Sequence, residues 1–312
     1  MNSKAIAVTG LRKAFGEKAV LDGIGFEVAA GSVFAMLGPN GAGKTTTVNI
    51  LATLMKADAG TVRVAGHDVA TATRQVRAAI GVTGQFAAVD ELLTGRENLQ
   101  LMADLKRVSG SQVVDRLLER FDLVESADKM TATYSGGMRR KLDLAMTLVG
   151  NPQIIFLDEP TTGLDPRSRR TMWGIVRDLV ADGTTIFLTT QYLEEADQLA
   201  DRVAVLDQGR LVAQGTPAEL KGQIPGTHVR LRFAALDELD TAARALPGST
   251  RDDEELTLRV PSDGDSKSLR ALLDRLDDVM INAPEFSVHT PDLDDVFLAL
   301  TGHKTAEEAM AQ

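Results

Sequence analysis

Cysteine is absent from this chain of 312 residues. Its absence excludes disulfide bonds and thiolate metal sites, and it is typical of a reducing compartment. Long apolar runs are also missing. Segments such as Val33–Leu37 and Ile154–Leu157 are far shorter than the roughly 18 apolar residues that a membrane-spanning helix needs. The first residues do not resemble a secretory signal, so we expect a soluble, cytosolic chain that reaches a membrane only through a partner.

Positive charge is scarce, and it is scarcest near the C-terminus. The net charge is −10, and residues 225–312 hold 9 Lys and Arg against 18 Asp and Glu. Proteins that bind nucleic acids usually carry a basic face or stripe. The charge distribution therefore argues against a nucleic-acid partner.

Short apolar strands alternate with helical patterns over the first two thirds of the chain. Val33–Leu37, Ile154–Leu157 and Thr185–Leu188 are continuous apolar runs, which are typical of strands buried on both faces of a parallel sheet. Helical periodicity lies between them, which predicts an α/β fold with right-handed crossovers. Two short strands are predicted near the N-terminus, at Ala5–Val8 and Gly25–Val28.

A domain boundary is predicted at Gln223–Gly226, where proline and glycine coincide with the change in charge balance. Residues 1–223 would form the larger domain. Beyond the boundary, three strands alternate with three helices, which predicts a small α+β domain over residues 224–303. A tail would follow at 304–312.

The glycine-rich segment after the first buried strand matches the pattern G-x-x-x-x-G-K-[ST]. Its glycines allow successive backbone N–H groups to point at one anion, and the helix that follows presents its N-terminus to the same charge. Lys44 would reach the β- and γ-phosphates of a nucleotide, and the Thr45 hydroxyl would bind Mg²⁺. The predicted nucleotide-binding residues of this loop are Gly38, Pro39, Asn40, Gly41, Ala42, Gly43, Lys44, Thr45 and Thr46.

Two adjacent carboxylates, Asp158 and Glu159, follow the apolar strand Ile154–Leu157. Ligands of α/β sheets bind at the carboxyl ends of strands. Asp158 would therefore hold Mg²⁺, and Glu159 would polarise the water that attacks the phosphate. Acids in such a position can also simply cap the next helix, but their pairing with the phosphate loop favours catalysis.

Further motifs resemble those of the ABC-type ATPases. Tyr134–Met138 opens a helix and resembles the family's L-S-G-G-Q signature, Gln85 matches its Q-loop, and Gly163–Asp165 matches its D-loop. The series spans residues 4–222. Four longer segments resemble the daunorubicin/doxorubicin-resistance ATPases of bacterial drug exporters, and they extend the resemblance into the C-terminal module: Val82–Gln85, Tyr134–Arg140, Thr189–Asp197 and Val296–His303.

This resemblance implies the P-loop ABC-type fold, with a RecA-like parallel core, an antiparallel β subdomain and a helical subdomain at about 86–150. It implies a head-to-tail dimer around two ATPs, in which the signature of one subunit contacts the γ-phosphate held by the other. The C-terminal module would be an accessory domain that supports dimerisation or regulation. The residues that the resemblance adds to the nucleotide site are Tyr134, Ser135, Gly136, Gly137, Met138 and Asp165.

The resemblance also implies roles for single residues. Gln85 would ligate Mg²⁺ and link that site to the surface around helices 96–121, which would contact the permease. Phe15 would stack on adenine, although it could instead be a core aromatic. Lys44, Gln85, Glu159 and Gln191 would be the catalytic residues.

Three positions depart from the family pattern: Gln191, and the two ends of the signature, where Tyr134 stands for leucine and Met138 for glutamine. Gln191 occupies the place of the usual switch histidine, and none of the four histidines lies directly after the strand Thr185–Leu188. A glutamine amide donates a hydrogen bond but cannot become cationic, so we expect slow turnover with Glu159 in the main role. The run Arg139–Lys141 is expected to be a solvated helix face, although it could attract nucleotide.

Among possible functions, we expect an ATPase subunit that drives a separate export permease from the cytoplasmic face of the membrane. A soluble ABC ATPase acting on DNA or the ribosome usually carries two cassettes or a coiled-coil insertion, and this chain has neither. A regulatory module that closes on ATP and barely hydrolyses it is an alternative function that Gln191 allows. Transport could also run inward, because direction belongs to the permease.

Overall fold

The computed structural model describes residues 3–85, 87–108, 111–222, 227–262, 265–289 and 292–301. The chain divides into two compact units between Pro217 and Ala218. The boundary predicted at 223–224 and the tail at 304–312 lie outside the described residues. The elements up to the division are β1 (Lys4–Phe15), β2 (Lys18–Ala29), β3 (Val33–Leu37), α1 (Lys44–Leu51), β4 (Ala59–Val64), β5 (His67–Asp68), α2 (Thr73–Ala79), β6 (Ile80–Thr83), α3 (Gly95–Lys106), α4 (Ser111–Arg120), α5 (Gly136–Leu148), β7 (Ile154–Asp158), α6 (Pro166–Ala181), β8 (Thr185–Thr190), α7 (Leu193–Leu199), β9 (Arg202–Asp207), β10 (Arg210–Gly215) and α8 (Pro217–Lys221).

A six-stranded sheet forms the centre of the first unit, in the order β10-β9-β3-β8-β7-β6. All its pairs are parallel except the β9–β10 hairpin at the edge. The three apolar runs of the sequence are the neighbouring strands β3, β8 and β7, and they are buried throughout. The α/β prediction is confirmed. The carboxyl ends of these three strands therefore meet at one edge of the sheet.

An antiparallel sheet, in the order β2-β1-β4-β5, packs against this core. Its Phe26 ring stacks on Phe34 of β3 at 5.1 Å, and Phe34 stacks on Phe187 of β8 at 5.5 Å. The two N-terminal strands predicted from the sequence are too short, because β1 and β2 run for 12 residues each. Gly10, with φ of +60°, lies where the register shifts between Val8 and Leu11. The glycine forms an irregularity that β1 continues through, and it does not end the strand.

Helices α3, α4 and α5 follow β6 and confirm the helical periodicity of this region. Thr94 and Glu97 form a capping box at the start of α3, and the Ser135 side chain caps α5. These caps satisfy backbone N–H groups that a helix start otherwise leaves unpaired. None of the helices in the described residues is both long and apolar enough to cross a membrane.

The second unit has its own sheet and core. Its elements after the division are β11 (His228–Arg232), α9 (Leu236–Ala245), β12 (Thr250–Asp252), β13 (Thr257–Pro261), α10 (Ser266–Asp278), β14 (Glu285–His289) and α11 (Leu293–Thr301). The strands are antiparallel in the order β12-β13-β11-β14. Apolar side chains such as Val229, Leu239 and Leu272 form the core between the sheet and α9 and α10. The predicted alternation is confirmed, with the short polar strand β12 added.

Candidate nucleotide-binding site

The phosphate loop lies between β3 and α1, and two of its glycines have no room for a side chain. A Cβ on Gly38 would stand 2.2 Å from the Leu206 carbonyl oxygen. A Cβ on Gly43 would stand 2.7 Å from a Leu21 methyl group, and the φ of Gly43 is +112°. The backbone can follow this path only with glycine at both positions. Helix α1 then begins at Lys44, so its N-terminus opens onto the loop.

The Lys44 side chain folds back over this loop. It is 4% exposed, and its Nζ donates hydrogen bonds to the carbonyl oxygens of Gly38 at 2.7 Å and Pro39 at 3.1 Å. The third neighbour of Nζ is Glu159 Oε1 at 3.3 Å. Burial lowers the pKa of Lys44, and the charge of Glu159 opposes this shift. Lys44 therefore lies between the loop and the acid, and its contact with the phosphates of a nucleotide stays a prediction.

The two predicted carboxylates are held by the strand beside them. Asp158 Oδ1 accepts a hydrogen bond from the Thr189 hydroxyl of β8. The Glu159 N–H donates to the Thr189 carbonyl oxygen at 3.1 Å. Glu159 has a φ of +48°, a left-handed conformation that is uncommon for non-glycine residues and that concentrates at functional sites. This backbone conformation follows directly on the end of β7.

Three side chains converge on the Glu159 carboxylate. Besides Lys44, the Gln85 amide nitrogen donates to Oε2 at 3.3 Å, and so does the Thr162 hydroxyl at 3.3 Å. The structure thus brings together Lys44, Gln85 and Glu159, which lie far apart in the sequence. Gln191 follows β8 directly and is half-buried. It lies beside the loop, because the Gly38 N–H donates to the Thr190 carbonyl oxygen at 3.2 Å.

The signature segment forms the exposed start of α5. Ser135 and Gly136 are exposed, and the Ser135 hydroxyl accepts the Met138 N–H at 3.2 Å. Tyr134, predicted as a nucleotide contact, has its side chain in the interior. Its hydroxyl donates to the Ser126 carbonyl oxygen at 2.6 Å. The side chain therefore packs within the helical region, and a nucleotide contact of Tyr134 stays a prediction.

The D-loop aspartate lies at the start of the next helix. Asp165 caps α6 by accepting the N–H groups of Arg167 and Ser168 at 3.0 and 2.9 Å. The Ser168 hydroxyl donates to the same carboxylate at 2.6 Å, and these bonds lower the pKa of Asp165. A Cβ on Gly137 would stand 2.7 Å from the Ser168 hydroxyl oxygen. The cap of α6 and the signature are therefore in contact within one chain.

Phe15 ends β1 with its ring 49% exposed. The Lys13 Nζ lies 5.5 Å from the ring centroid, within cation–π range. This exposure rules out the alternative that Phe15 belongs to the core. A stacking contact with adenine stays a prediction.

Two buried charged residues escaped the sequence analysis. Arg140 is 6% exposed, so the expectation of a solvated helix face is wrong for this member of the run Arg139–Lys141. Its guanidinium bonds to main-chain carbonyls around the site. Glu195 on α7 is almost completely buried, accepts the Trp173 indole N–H at 3.2 Å, and has a pKa raised by burial. For Arg140 the one sequence signal is an acid three residues later, Asp143, and no sequence signal marks Glu195.

A lysine, a carboxylate and an amide meet beside the phosphate loop, at the carboxyl edge of a parallel sheet. This arrangement places the first unit among the P-loop nucleoside triphosphatases. Residues 21–162 match the ABC transporter family. The chain is 47% identical to the daunorubicin resistance ATP-binding protein DrrA3 of Streptomyces coeruleorubidus, over 97% of each chain. It is 39% identical to the Nod factor export ATP-binding protein I of Paraburkholderia xenovorans, over 97% of this chain and 99% of that one.

A solved structure of the ATP-binding subunit of an ABC transporter has the same fold. The match has a TM-score of 0.64 and 28% identity, and it covers 70% of this chain and 92% of the other. The chain thus belongs to the ABC transporter family, as an ATP-binding subunit that hydrolyses ATP. The family resemblance read from the motifs is confirmed.

Proposed function

We propose that this chain powers an exporter of drugs or other hydrophobic compounds, at the cytoplasmic face of the cell membrane. Two copies would close around two ATPs and drive a permease made of separate chains. The likeness to DrrA3, a protein named for daunorubicin resistance, supports the drug cargo. The likeness to a Nod factor export protein supports export and leaves the cargo wider than drugs. No part in nucleic-acid binding is proposed.

The Lys44–Glu159 ion pair is the observation that carries the catalytic part of this proposal. The buried ammonium of Lys44 lies beside the buried Glu159 carboxylate and neutralises its charge. When ATP binds, Lys44 exchanges Glu159 for oxygens of the β- and γ-phosphates, because phosphate carries more charge than one carboxylate. Glu159 is then free to accept the proton of the attacking water while the water oxygen bonds to the γ-phosphorus. The bond from that phosphorus to the bridging oxygen breaks, and ADP leaves.

The oxygen donors of the site fit Mg²⁺, which prefers hard oxygen ligands. Thr45 offers an exposed hydroxyl on the first turn of α1, and Asp158 offers a carboxylate at the end of β7. The Gln85 amide nitrogen is engaged by Glu159, which leaves its carbonyl oxygen for a cation. When bound, Mg²⁺ would supply charge neutralisation on the β- and γ-phosphates.

Gln191 would donate one neutral hydrogen bond to the γ-phosphate from the end of β8. A neutral donor stabilises developing negative charge less than a cationic one does. Slow turnover is therefore part of the proposed function, and Glu159 carries the larger share of catalysis.

The exposed start of α5 supports the sandwich dimer. Ser135 and Gly136 present a hydroxyl and helix N-terminal N–H groups to solvent, a combination that suits an anion brought by another subunit. A head-to-tail pair of identical chains would complete two such sites. This arrangement also explains why the signature motif is exposed.

Exposed leucines near α3 support permease contact. Leu101 and Leu105 lie one turn apart on α3 and are 43% and 69% exposed, and Leu92 in the preceding segment is 80% exposed. Apolar side chains exposed together mark interaction sites in soluble proteins. A permease bound here would lie close to the Gln85 segment, because Asp90, just beyond that segment, is bonded to Asn98 of α3.

Affinity capture of the tagged full chain from detergent-solubilised native membranes tests the proposal. We expect a multi-span membrane protein at near-equal stoichiometry, and ATP hydrolysis by the purified pair that a Glu159→Gln chain lacks. Efflux of doxorubicin from cells that express the pair then tests the cargo. Recovery only with ribosomal or DNA-associated proteins would overturn the transport function, and uptake in place of efflux would overturn export.

A further inference from the structure

Arg140 on the second turn of α5 binds three main-chain carbonyl groups in the interior of the first unit. Its Nη1 donates to the Gly84 oxygen at 2.6 Å, its Nε to the Pro160 oxygen at 2.9 Å, and its Nη2 to the Asp158 oxygen at 3.2 Å. Gly84 immediately precedes Gln85, and the other two residues flank Glu159. One side chain therefore fixes the backbone on both sides of the catalytic glutamate and just before the glutamine.

Asp143, one turn further along α5, holds the far end of the Gln85 segment. Its carboxylate is 3% exposed and accepts the Ala88 N–H at 3.1 Å. The same carboxylate lies 3.4 Å from Arg140 Nη1. Helix α5 thus holds the backbone at residue 84 through its arginine and at residue 88 through its aspartate.

The chemistry of the pair suits positioning better than stability alone. Burying a charged pair costs desolvation free energy, and apolar replacements of such pairs are often neutral or stabilising. Burial lowers the pKa of Arg140 and raises that of Asp143, in each case against the charge of the other. A planar guanidinium offers five N–H donors in a fixed fork, so it can bind three carbonyls in one rigid arrangement. A lysine ammonium has neither the reach nor the fork.

The same helix carries the signature motif on its first turn. Ser135 caps α5, and Gly136 and Gly137 open it, so Arg140 follows one turn later on a rigid element. A displacement of α5 would therefore act on the carbonyls of Gly84 and Asp158 through the bonds of Arg140. In the dimer, the signature would contact the γ-phosphate of the other site.

We propose that Arg140 and Asp143 are a positioning pair, which holds Gln85 and Glu159 in place relative to α5. When the signature contacts the ATP bound by the other subunit, the pair transmits this contact to the hydrolytic site of its own chain. The transmission step rests on the proposed sandwich dimer, whereas the positioning step does not. Neither residue touches nucleotide. Their effect is on turnover and on coupling between the two sites, and not on ATP affinity.

The test uses the purified full chain with Arg140→Lys, which keeps the positive charge beside Asp143 but loses the fork. We expect kcat for ATP hydrolysis, per nucleotide-binding site, to fall about 10- to 100-fold, as displacement of catalytic groups by about 1 Å does. The KM for ATP should stay within about twofold, and the Hill coefficient should fall toward 1. A second variant, Arg140→Gln with Asp143→Asn, removes both buried charges and serves as the test if Arg140→Lys folds poorly. It should also lower kcat and leave the KM for ATP unchanged. Arg120→Lys is the matched control, because Arg120 is an exposed arginine with one carboxylate partner, Asp182.

Amide hydrogen exchange over residues 84–90 is the second readout, measured with ATP and Mg²⁺ present. Faster exchange in Arg140→Lys than in the parent chain is expected, with the phosphate loop unchanged. Unchanged kcat and exchange in a folded variant would overturn the proposal. A loss explained entirely by fewer nucleotide-binding sites would also overturn it, because it shows a folding role. If the parent chain hydrolyses ATP but does not dimerise, the proposed sandwich fails, and the exchange data still decide the positioning step.

Discussion

Lys44 Nζ lies 3.3 Å from Glu159 Oε1, and both side chains are almost fully buried. The residue that would hold the phosphates and the residue that would activate the water are therefore bonded to each other. This ion pair keeps two buried charges neutralised. If Lys44 turns to the phosphates of ATP, as proposed, Glu159 is released in the same event.

Glu159→Gln should abolish hydrolysis while ATP binding persists. The amide cannot accept the proton of the attacking water, so the rate of phosphate release should fall at least about 100-fold. Lys44 loses a competing partner, so the affinity for ATP should not weaken. Phosphate release and equilibrium binding measure the two quantities. Glu125→Gln, an exposed acid of the helical region, is the control, and weaker ATP binding by the Glu159 variant would contradict the exchange of partners.

Gln191→His should raise turnover by about tenfold. A cationic imidazole donates a charge-assisted hydrogen bond, and an additional ~1.4 kcal/mol of transition-state stabilisation corresponds to that factor. The gain should be largest at mildly acidic pH, where histidine is protonated. Steady-state phosphate release across pH 6–8.5 measures it. An unchanged rate would remove the explanation for slow turnover, and Gln191→His added to Glu159→Gln should restore nothing.

Glu195→Gln should change how stability depends on pH. Burial raises the pKa of Glu195, so the folded protein holds this proton more tightly than the unfolded chain. The stabilisation is complete below the unfolded pKa of about 4.5 and is lost as pH rises through the folded value. Glutamine keeps an acceptor for the Trp173 N–H without titrating. The free energy of unfolding of the variant, relative to the parent, should therefore rise with pH over that window and then level off.

Urea unfolding at intervals between pH 4.5 and 8.5 measures this difference. Each pH unit within the window corresponds to about 1.4 kcal/mol. Glu194→Gln is the matched control, because the Glu194 carboxylate, next to Glu195 in the sequence, is exposed. This variant should give a profile parallel to that of the parent chain. Parallel profiles for both variants would show that Glu195 has no raised pKa.

Gly38→Ala should impair both folding and nucleotide binding. The new methyl group would meet the Leu206 carbonyl oxygen, and a backbone atom cannot move aside as a flexible side chain does. We expect a loss of roughly 1–3 kcal/mol in the free energy of unfolding and weaker ATP binding. Gly174→Ala is the control, since Gly174 lies in α6 with open space around it and alanine favours helices. Normal ATP binding by the Gly38 variant would contradict the close approach.

Local patterns predicted the parts of the site that depend on adjacent residues. The run from Gly38 to Thr45 contains its own turn, anchor and helix start, and Asp158 and Glu159 follow an unmistakable buried strand. Family likeness alone implied a place for Gln85 at the Mg²⁺ site, and its bond to Glu159 was not predicted, because residues so distant in sequence meet only through the folded sheet. The sequence does not predict the full length of β1, because glycine usually interrupts strands. Here Gly10 lies at a register shift in the pairing of β1 with β2, and the strand continues.

Buried charges were the main failure. Three consecutive basic residues usually face water, which predicts a solvated Arg140, yet a helix places neighbouring side chains about 100° apart. Arg139 and Lys141 stay at least partly exposed while Arg140 points inward. The place of Tyr134 in the motif predicts a nucleotide contact, whereas its hydroxyl donates a hydrogen bond to the Ser126 carbonyl oxygen in the interior. Both outcomes depend on tertiary contacts that no window of sequence contains.

Strand β8 connects the two halves of the site through its main chain. The Thr190 carbonyl accepts from Gly38, and the Thr189 carbonyl accepts from Glu159. The spacing between the phosphate loop and the acid is thus set by the carbonyl groups of two consecutive residues, which every residue type supplies in the same form. Evolutionary drift can replace the side chains of this strand without changing that spacing. A single inserted residue would instead exchange its two faces, so insertions in β8 should be far rarer among active descendants than substitutions.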